Sequence, residues 1–200
     1  ARPPDGCAGL LRELGEAEHP DRPLVVLGHS MGGHLALSHV LDHQPGVSGL
    51  VLSGAALKAG DDLSPFKVKL ITAIAKVAPG VRPEALNADS ISRDPAVVAA
   101  YRDDPLVFTG KISAGLGAAL VGGMQRFPAR YHELTVPTLI LHGTADTLAD
   151  IAGPRALEAG AANAAVTSHY YDGLYHEVFN EPERDTVIGD LIAWLDATIA

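Results

Sequence analysis

Apolar positions along this chain fall into two rhythms, and each predicts a kind of element. Leu24-Val25-Val26-Leu27, Gly49-Leu50-Val51-Leu52 and Thr138-Leu139-Ile140-Leu141 are short continuous runs bounded by turn residues such as Pro23, Gly28, Gly54, Pro137 and Gly143. Such runs suit strands buried on both faces. Val166 to Tyr171 reads as a fourth strand, so strands are expected near residues 24–28, 48–52, 138–142 and 166–171. Helical spacing fills the intervals. It covers Asp5 to Ala17 (Cys7, Leu10, Leu11, Leu14), Met31 to His43 before Pro45-Gly46, and Arg155 to Ala162. A closing helix starts near Pro182 and runs through Ile188, Leu191, Ile192, Leu195 and Ile199. Buried strands alternating with helices predict a parallel sheet in an α/β fold.

From about Leu57 to Glu133 the rhythm breaks. No buried strand is expected there, and the pattern reads as several short helices. Phe66, Leu70, Ile71, Ile74 and Val77 form one apolar stripe, with Lys69, Thr72 and Lys76 opposite. Asp94 before Pro95 is an N-cap and first-turn pair for a helix to Arg102, and Ser113 to Gln125 is an Ala- and Gly-rich helical segment. The expected organisation is an α/β core over 1–56, a helical cap over 57–133, and the rest of the core over 134–200.

Composition narrows the class. Two hundred residues, 47% hydrophobic and 20% charged, make one folded domain with room for a core. The net charge of −9 and the lack of any Lys/Arg run argue against a nucleic-acid partner. A single Cys7 can form no internal disulfide and no cysteine-built zinc site. No stretch approaches the roughly 20 apolar residues of a spanning helix. Targeting is not readable, which leaves the cytoplasm or a membrane periphery as the expected place.

The chemistry centres on Gly28-His29-Ser30-Met31-Gly32-Gly33, placed between a strand and a helix. In that context G-x-S-x-G is a nucleophile elbow, with small residues at 28 and 32 letting strand and helix approach while Ser30 occupies a strained turn. A serine needs a base, and the base an orienting carboxylate. His142-Gly143-Thr144-Ala145-Asp146 follows one expected strand and Gly173-Leu174-Tyr175-His176-Glu177 another. Ser30, Asp146 and His176 thus come in the order serine, acid, histidine, each past the carboxyl end of a strand, where open α/β sheets bind ligands. Asp150 is a competing acid four residues on.

These motifs, with Tyr175-His176-Glu177-Val178-Phe179-Asn180-Glu181, resemble the monoacylglycerol lipases of the α/β-hydrolase superfamily, the group labelled serine aminopeptidase S33 or lysophospholipase-like. Ser90-Ile91-Ser92-Arg93-Asp94-Pro95 and Tyr101-Arg102-Asp103-Asp104-Pro105-Leu106-Val107 resemble that family's cap. The resemblance implies Ser30 as nucleophile, His176 as general base and acid, Asp146 as its carboxylate, and the Met31 N–H as an oxyanion donor. It implies Tyr101 as a candidate contact to a glycerol hydroxyl, beside the plainer reading of packing. The implied substrate is a monoacylglycerol, with another carboxylic ester or a lysophospholipid as the alternative. No cofactor is implied.

One departure sets a further expectation. The family begins with several strands, and an early loop supplies a second oxyanion donor, whereas only 29 residues precede Ser30 here. Loss of one such donor costs about 2.7–4 kcal/mol of transition-state stabilisation. The expectation is therefore the carboxyl-terminal two-thirds of the fold, amino-terminal strands missing. The Ser30 strand would lie at an exposed edge prone to association, and an inactive fragment is the rival to an active esterase. His34, His39 and His43 are expected on a solvated helix face without a metal. The stripe from Phe66 to Val77 is expected to pack under the cap or line an acyl pocket, with contact to a lipid interface as a further role. Oligomeric state stays open.

Overall fold

The computed structural model describes residues 17–19, 21–58, 65–82, 84–85 and 87–199. Nearly all of the helix expected from Asp5 to Ala17 lies outside them. The elements run β1 (Val25–His29), α1 (Met31–Asp42), β2 (Gly49–Ser53), α2 (Pro65–Val77), β3 (Glu84–Ala85) and α3 (Pro95–Asp103). There follow β4 (Lys111–Ile112), α4 (Ala114–Arg126), β5 (Thr138–Gly143), α5 (Ala152–Gly160), β6 (Val166–Tyr171) and α6 (Arg184–Ile199).

Four strands form one parallel sheet in the order β1-β2-β5-β6. All four expected strands are present within one residue of their expected starts. The apolar runs work as a period of two. Leu50, Leu52 and Ile140 pack on one face against Leu37, Val40 and Leu41 of α1 and Leu157 of α5. Val51, Leu139 and Leu141 face the other side, where Val187 and Trp194 of α6 cover them. Both faces are closed, as a parallel sheet requires. Among the described residues β1 is an edge strand, and Leu27 there is 50% exposed.

Residues between β2 and β5 leave the sheet and return beside the strand they left. Asp94 caps α3, accepting the Ala96 N–H at 2.8 Å, and Ser113 caps α4, accepting the Leu116 N–H at 3.3 Å. The helix α4 packs on both α2 and α1, so this segment is tied to the core. One detail adds to the sequence expectation and one corrects it. Beside its helices the segment holds a two-residue antiparallel pair of β3 and β4, Glu84 opposite Ile112 and Ala85 opposite Lys111. Pairs this short carry no apolar run to read. Val77, expected on the buried stripe, is the last residue of α2 and is 87% exposed. The side chains of Phe66, Leu70 and Ile71 lie outside the described residues.

Candidate active site

Ser30 stands between β1 and α1 with φ 53° and ψ −118°, the one non-glycine residue at positive φ among those described. An L-residue held there carries about 1–3 kcal/mol of strain. The turn is held by backbone bonds on both sides. Ser30 N–H donates to the Ser53 carbonyl at 2.9 Å, and Ala56 N–H donates to the Ser30 carbonyl at 3.1 Å. The glycines explain how helix and strand come so close. A Cβ on Gly28 would strike the Gly32 backbone, and one on Gly33 would lie 2.6 Å from the Ala55 Cβ. The expectation for Gly32 needs correcting: its own Cβ position is open, and it is Gly33 that must be small. Met31 opens α1, so its N–H has no acceptor within the helix.

The acid and histidine come from the other side of the sheet. Asp146 follows β5, and its Oδ1 accepts the N–H groups of Leu148 at 2.8 Å and Ala149 at 3.0 Å. That leaves Oδ2 for His176, whose Nδ1 lies 2.8 Å away. The Asp146 side chain is wholly shielded and the His176 side chain 6% exposed. Burial alone would push the Asp146 carboxyl up. The hydrogen bond from His176, its charge and the Ala149 N–H outweigh burial and hold the carboxyl below its ordinary range. The competing acid is occupied elsewhere: Asp150 accepts the Ala152 N–H at 2.8 Å and pairs with Lys58 at 2.8 Å.

The two halves meet through His29. Its ring lies 4.7 Å from the His176 ring, centroid to centroid, and its Nδ1 is 3.2 Å from the buried Ser53 hydroxyl. Burial, then the neighbouring His176, push His29 down to about 4. It therefore stays neutral near pH 7 and adds no positive charge beside His176. Ser30, one residue on, makes no hydrogen bond to His176 among the described residues.

Besides His29, three further residues of the site were not singled out from the sequence. His142 is fully buried with Nε2 on the Ala149 carbonyl at 3.1 Å and 3.5 Å from Asp146 Oδ2, so it backs the acid; burial keeps it neutral. Arg93 and Glu181, a pair 88 residues apart in sequence, join the helical segment to the histidine loop. His29 and His142 stood inside the motif strings, and their position beside Ser30 and Asp146 was the available signal. Of the histidines expected to be solvated, His34 and His39 are buried. The His34 Nδ1 lies 3.1 Å from the Ala56 carbonyl oxygen and its ring packs on Phe127, in space that a Cβ at Gly123 would fill. The helix α4, packed on α1, thus covers His34, and the described residues contain no cluster of metal-ligating side chains. Tyr101 is half-buried and lines a cavity of about 310 Å³ with Ala88, Phe108 and Ile112. Burial, then Glu177, raise its hydroxyl above the ordinary range.

Comparison with known proteins places this geometry. The crystal structure of a monoacylglycerol lipase from Paleococcus ferrophilus superposes with a TM-score of 0.84 at 27% identity, over 96% of this chain and 75% of that one. A monoacylglycerol lipase of Mycolicibacterium smegmatis is 46% identical over 178 residues, which is 89% of this chain and 64% of that protein. The monoglyceride lipase of Mus musculus is 30% identical over 188 residues, 92% of this chain and 62% of the mouse protein. The chain thus spans somewhat under two thirds of the length of these curated relatives. The fold is that of the α/β-hydrolases, and the family described as serine aminopeptidase, S33, matches residues 5–183. With that match over most of its length, the chain belongs to the serine aminopeptidase S33 family.

Proposed function

We propose that this chain carries the nucleophile, base and acid of a serine hydrolase that cleaves monoacylglycerols to fatty acid and glycerol. The observation that carries the reading is the buried Asp146–His176 hydrogen bond, set at the sheet end where Ser30 is held at positive φ. With Nδ1–H donated to Asp146, the free Nε2 of His176 is the nitrogen left to take a proton. Ser30 Oγ attacks the acyl carbon as His176 accepts its proton, and the Met31 N–H receives the developing oxyanion. Collapse breaks the ester bond, and the same proton passes to the glycerol oxygen. Water then adds to the acyl-enzyme, losing a proton to His176, which returns it to Ser30 Oγ as the fatty acid leaves. Asp146 holds the imidazole in its tautomer and stabilises the cation formed in each half.

Residues 57–133 act as a cap over this end of the sheet, between core segments 1–56 and 134–200. Tyr101 in that cap is a substrate-binding candidate through its half-buried hydroxyl. Val77, Leu106 and Phe108 are exposed apolar side chains of the same segment and suit contact with a lipid interface. Among the described residues no helix is long and apolar enough to cross a membrane. A second ester class is favoured by the Bacillus subtilis relative, named phospholipase YtpA and 30% identical over 187 residues. A fluorophosphonate probe tests the chemistry: labelling mapped to Ser30 by mass spectrometry, and lost in Ser30→Ala, is expected. Glycerol release from monoacylglycerol against glycerophosphocholine release from lysophosphatidylcholine separates the two substrates. A chain left unlabelled under conditions where it is folded would remove the hydrolase reading.

A further inference from the structure

Glu181 is a buried carboxylate that the proton path does not use. Its side chain is fully shielded from solvent. One oxygen, Oε1, accepts the backbone N–H of Arg93 at 2.9 Å and that of Tyr175 at 3.3 Å. The other, Oε2, accepts Arg93 Nε at 2.6 Å, while the far arm of the guanidinium reaches Glu183. The same two stretches are joined again on either side. Ser92 Oγ donates to the Asn180 carbonyl at 3.0 Å, and Glu177 N–H donates to the Ile91 carbonyl at 2.8 Å.

His176 therefore sits between two residues whose amides are both held. Tyr175 is held by Glu181, and Glu177 by Ile91 of the segment before α3. A carboxylate shielded from water is strongly destabilising when its partner is removed. Without Arg93, the Glu181 charge would have to find water, and the loop from Tyr175 to Glu181 is what can move to admit it. Misplacement of a reacting group by about 1 Å can cost 10²-fold in rate. The link thus runs from the segment Ile91–Arg93, through Glu181, to the main chain that carries the histidine.

We propose that Glu181 and Arg93 are positioning residues, a clasp that sets the main chain of His176 and makes its placement over Ser30 depend on how the 57–133 segment is seated. This rests on the serine hydrolase reading above. Neither residue touches substrate. They act through the histidine loop.

The test uses the whole chain and the variants Glu181→Gln, Arg93→Ala and Arg93→Lys. In Glu181→Gln and Arg93→Ala, kcat is expected to fall by about 10²-fold with KM within about twofold, since substrate contacts are untouched. Arg93→Lys keeps a charge but loses the fork, so an intermediate loss is expected. Amide exchange at Tyr175 and Glu177 should quicken by about tenfold or more as the loop opens. Arg93 is one-third exposed, so ethylguanidinium in solution can reach the vacated slot and should restore part of kcat in Arg93→Ala. A stability defect alone would lower the melting temperature and the fraction of chain that labels at Ser30, but not kcat per labelled site. Unchanged exchange at both amides overturns the proposal, and so does faster exchange with kcat within twofold of wild type. If Glu181→Gln fails to fold, Arg93→Ala at its partly exposed position decides. Absence of Ser30 labelling in the wild type would instead remove the hydrolase reading, while amide exchange still reports whether the two residues hold the loop.

Discussion

The two sides of the candidate site are built by different physics. On the β5–β6 side, Asp146 and His176 are fixed by side-chain hydrogen bonds in a nearly dry environment, with His142 behind them and Glu181 alongside. On the β1 side, Ser30 is fixed by its backbone alone: a positive φ, three main-chain hydrogen bonds (its N–H to Ser53, and its carbonyl from His34 and Ala56) and the close approach that Gly28 and Gly33 permit. The first side follows β5 and β6, which pair with each other over six residues; the second follows β1, which among the described residues pairs with β2 alone and leaves Leu27 half exposed. The difference teaches where each half is vulnerable. Side-chain bonds fail to single isosteric substitutions and to pH, whereas a backbone turn fails to added bulk.

The largest effect expected is chemical. Ser30→Ala should abolish acyl-enzyme formation while leaving the melting temperature near wild type, checked by probe labelling and thermal unfolding. Next comes the acid. Asp146→Asn should lower kcat by about 10⁴, on the precedent of protease triads, because an amide stabilises the wrong tautomer. Asp150→Asn breaks a partly exposed pair with Lys58 and should cost under about 1 kcal/mol with little change in kcat. Reversal of that order in steady-state assays would move the acid to Asp150.

Gly28→Ala tests the backbone side. The added methyl meets the Gly32 carbonyl and lies 2.7 Å from the Gly33 Cα, with no flexible side chain to yield. A destabilisation of about 1–3 kcal/mol is expected in denaturant unfolding, together with loss of labelling as the turn relaxes.

The smallest effect is a pH slope. His29 is pushed down to about 4 in the folded protein, by burial and then by His176, from an ordinary value of 6.5. Between pH 6.5 and about 4 the unfolded chain takes up a proton that the folded chain does not. Acidification through that window therefore destabilises the fold. His29→Asn should flatten the fall of melting temperature across the window. His34 and His142, also held low by burial, act with the same sign and keep some slope. A variant with the wild-type slope would show that His29 is not the titrating contact between the two sides.

Much of this was legible in the chain. Three of the four strands, β1, β2 and β5, were readable because a doubly covered parallel strand is a run of apolar residues, which is a local property; β6 carries Thr167, Ser168 and His169 and lacks such a run. The strained turn at Ser30 and the Asp146–His176 contact were readable because their motifs follow strands and so come to one sheet end. The helices α3 and α4 announced themselves through Asp94 and Ser113, whose caps are satisfied within three residues. The two-residue strands β3 and β4 were not readable, since so short a pair has no period. Nor was the burial of His34. That depends on Gly123 of α4 and Phe127 just past its end, brought in from some 90 residues away.

By itself, then, the sequence determined the α/β alternation, the sheet's strands, the strained serine turn and the order of serine, acid and histidine, all carried by neighbours close in the chain. Tertiary structure decided which carboxylate the histidine takes, because Asp146 and Asp150 differ only in what their loops leave free. It decided that His29 stays neutral against His176, which follows from burial that no local pattern records. And it decided that Arg93 and Glu181 meet, a charge pair across 88 residues that exists only once the helical segment is laid against the histidine loop.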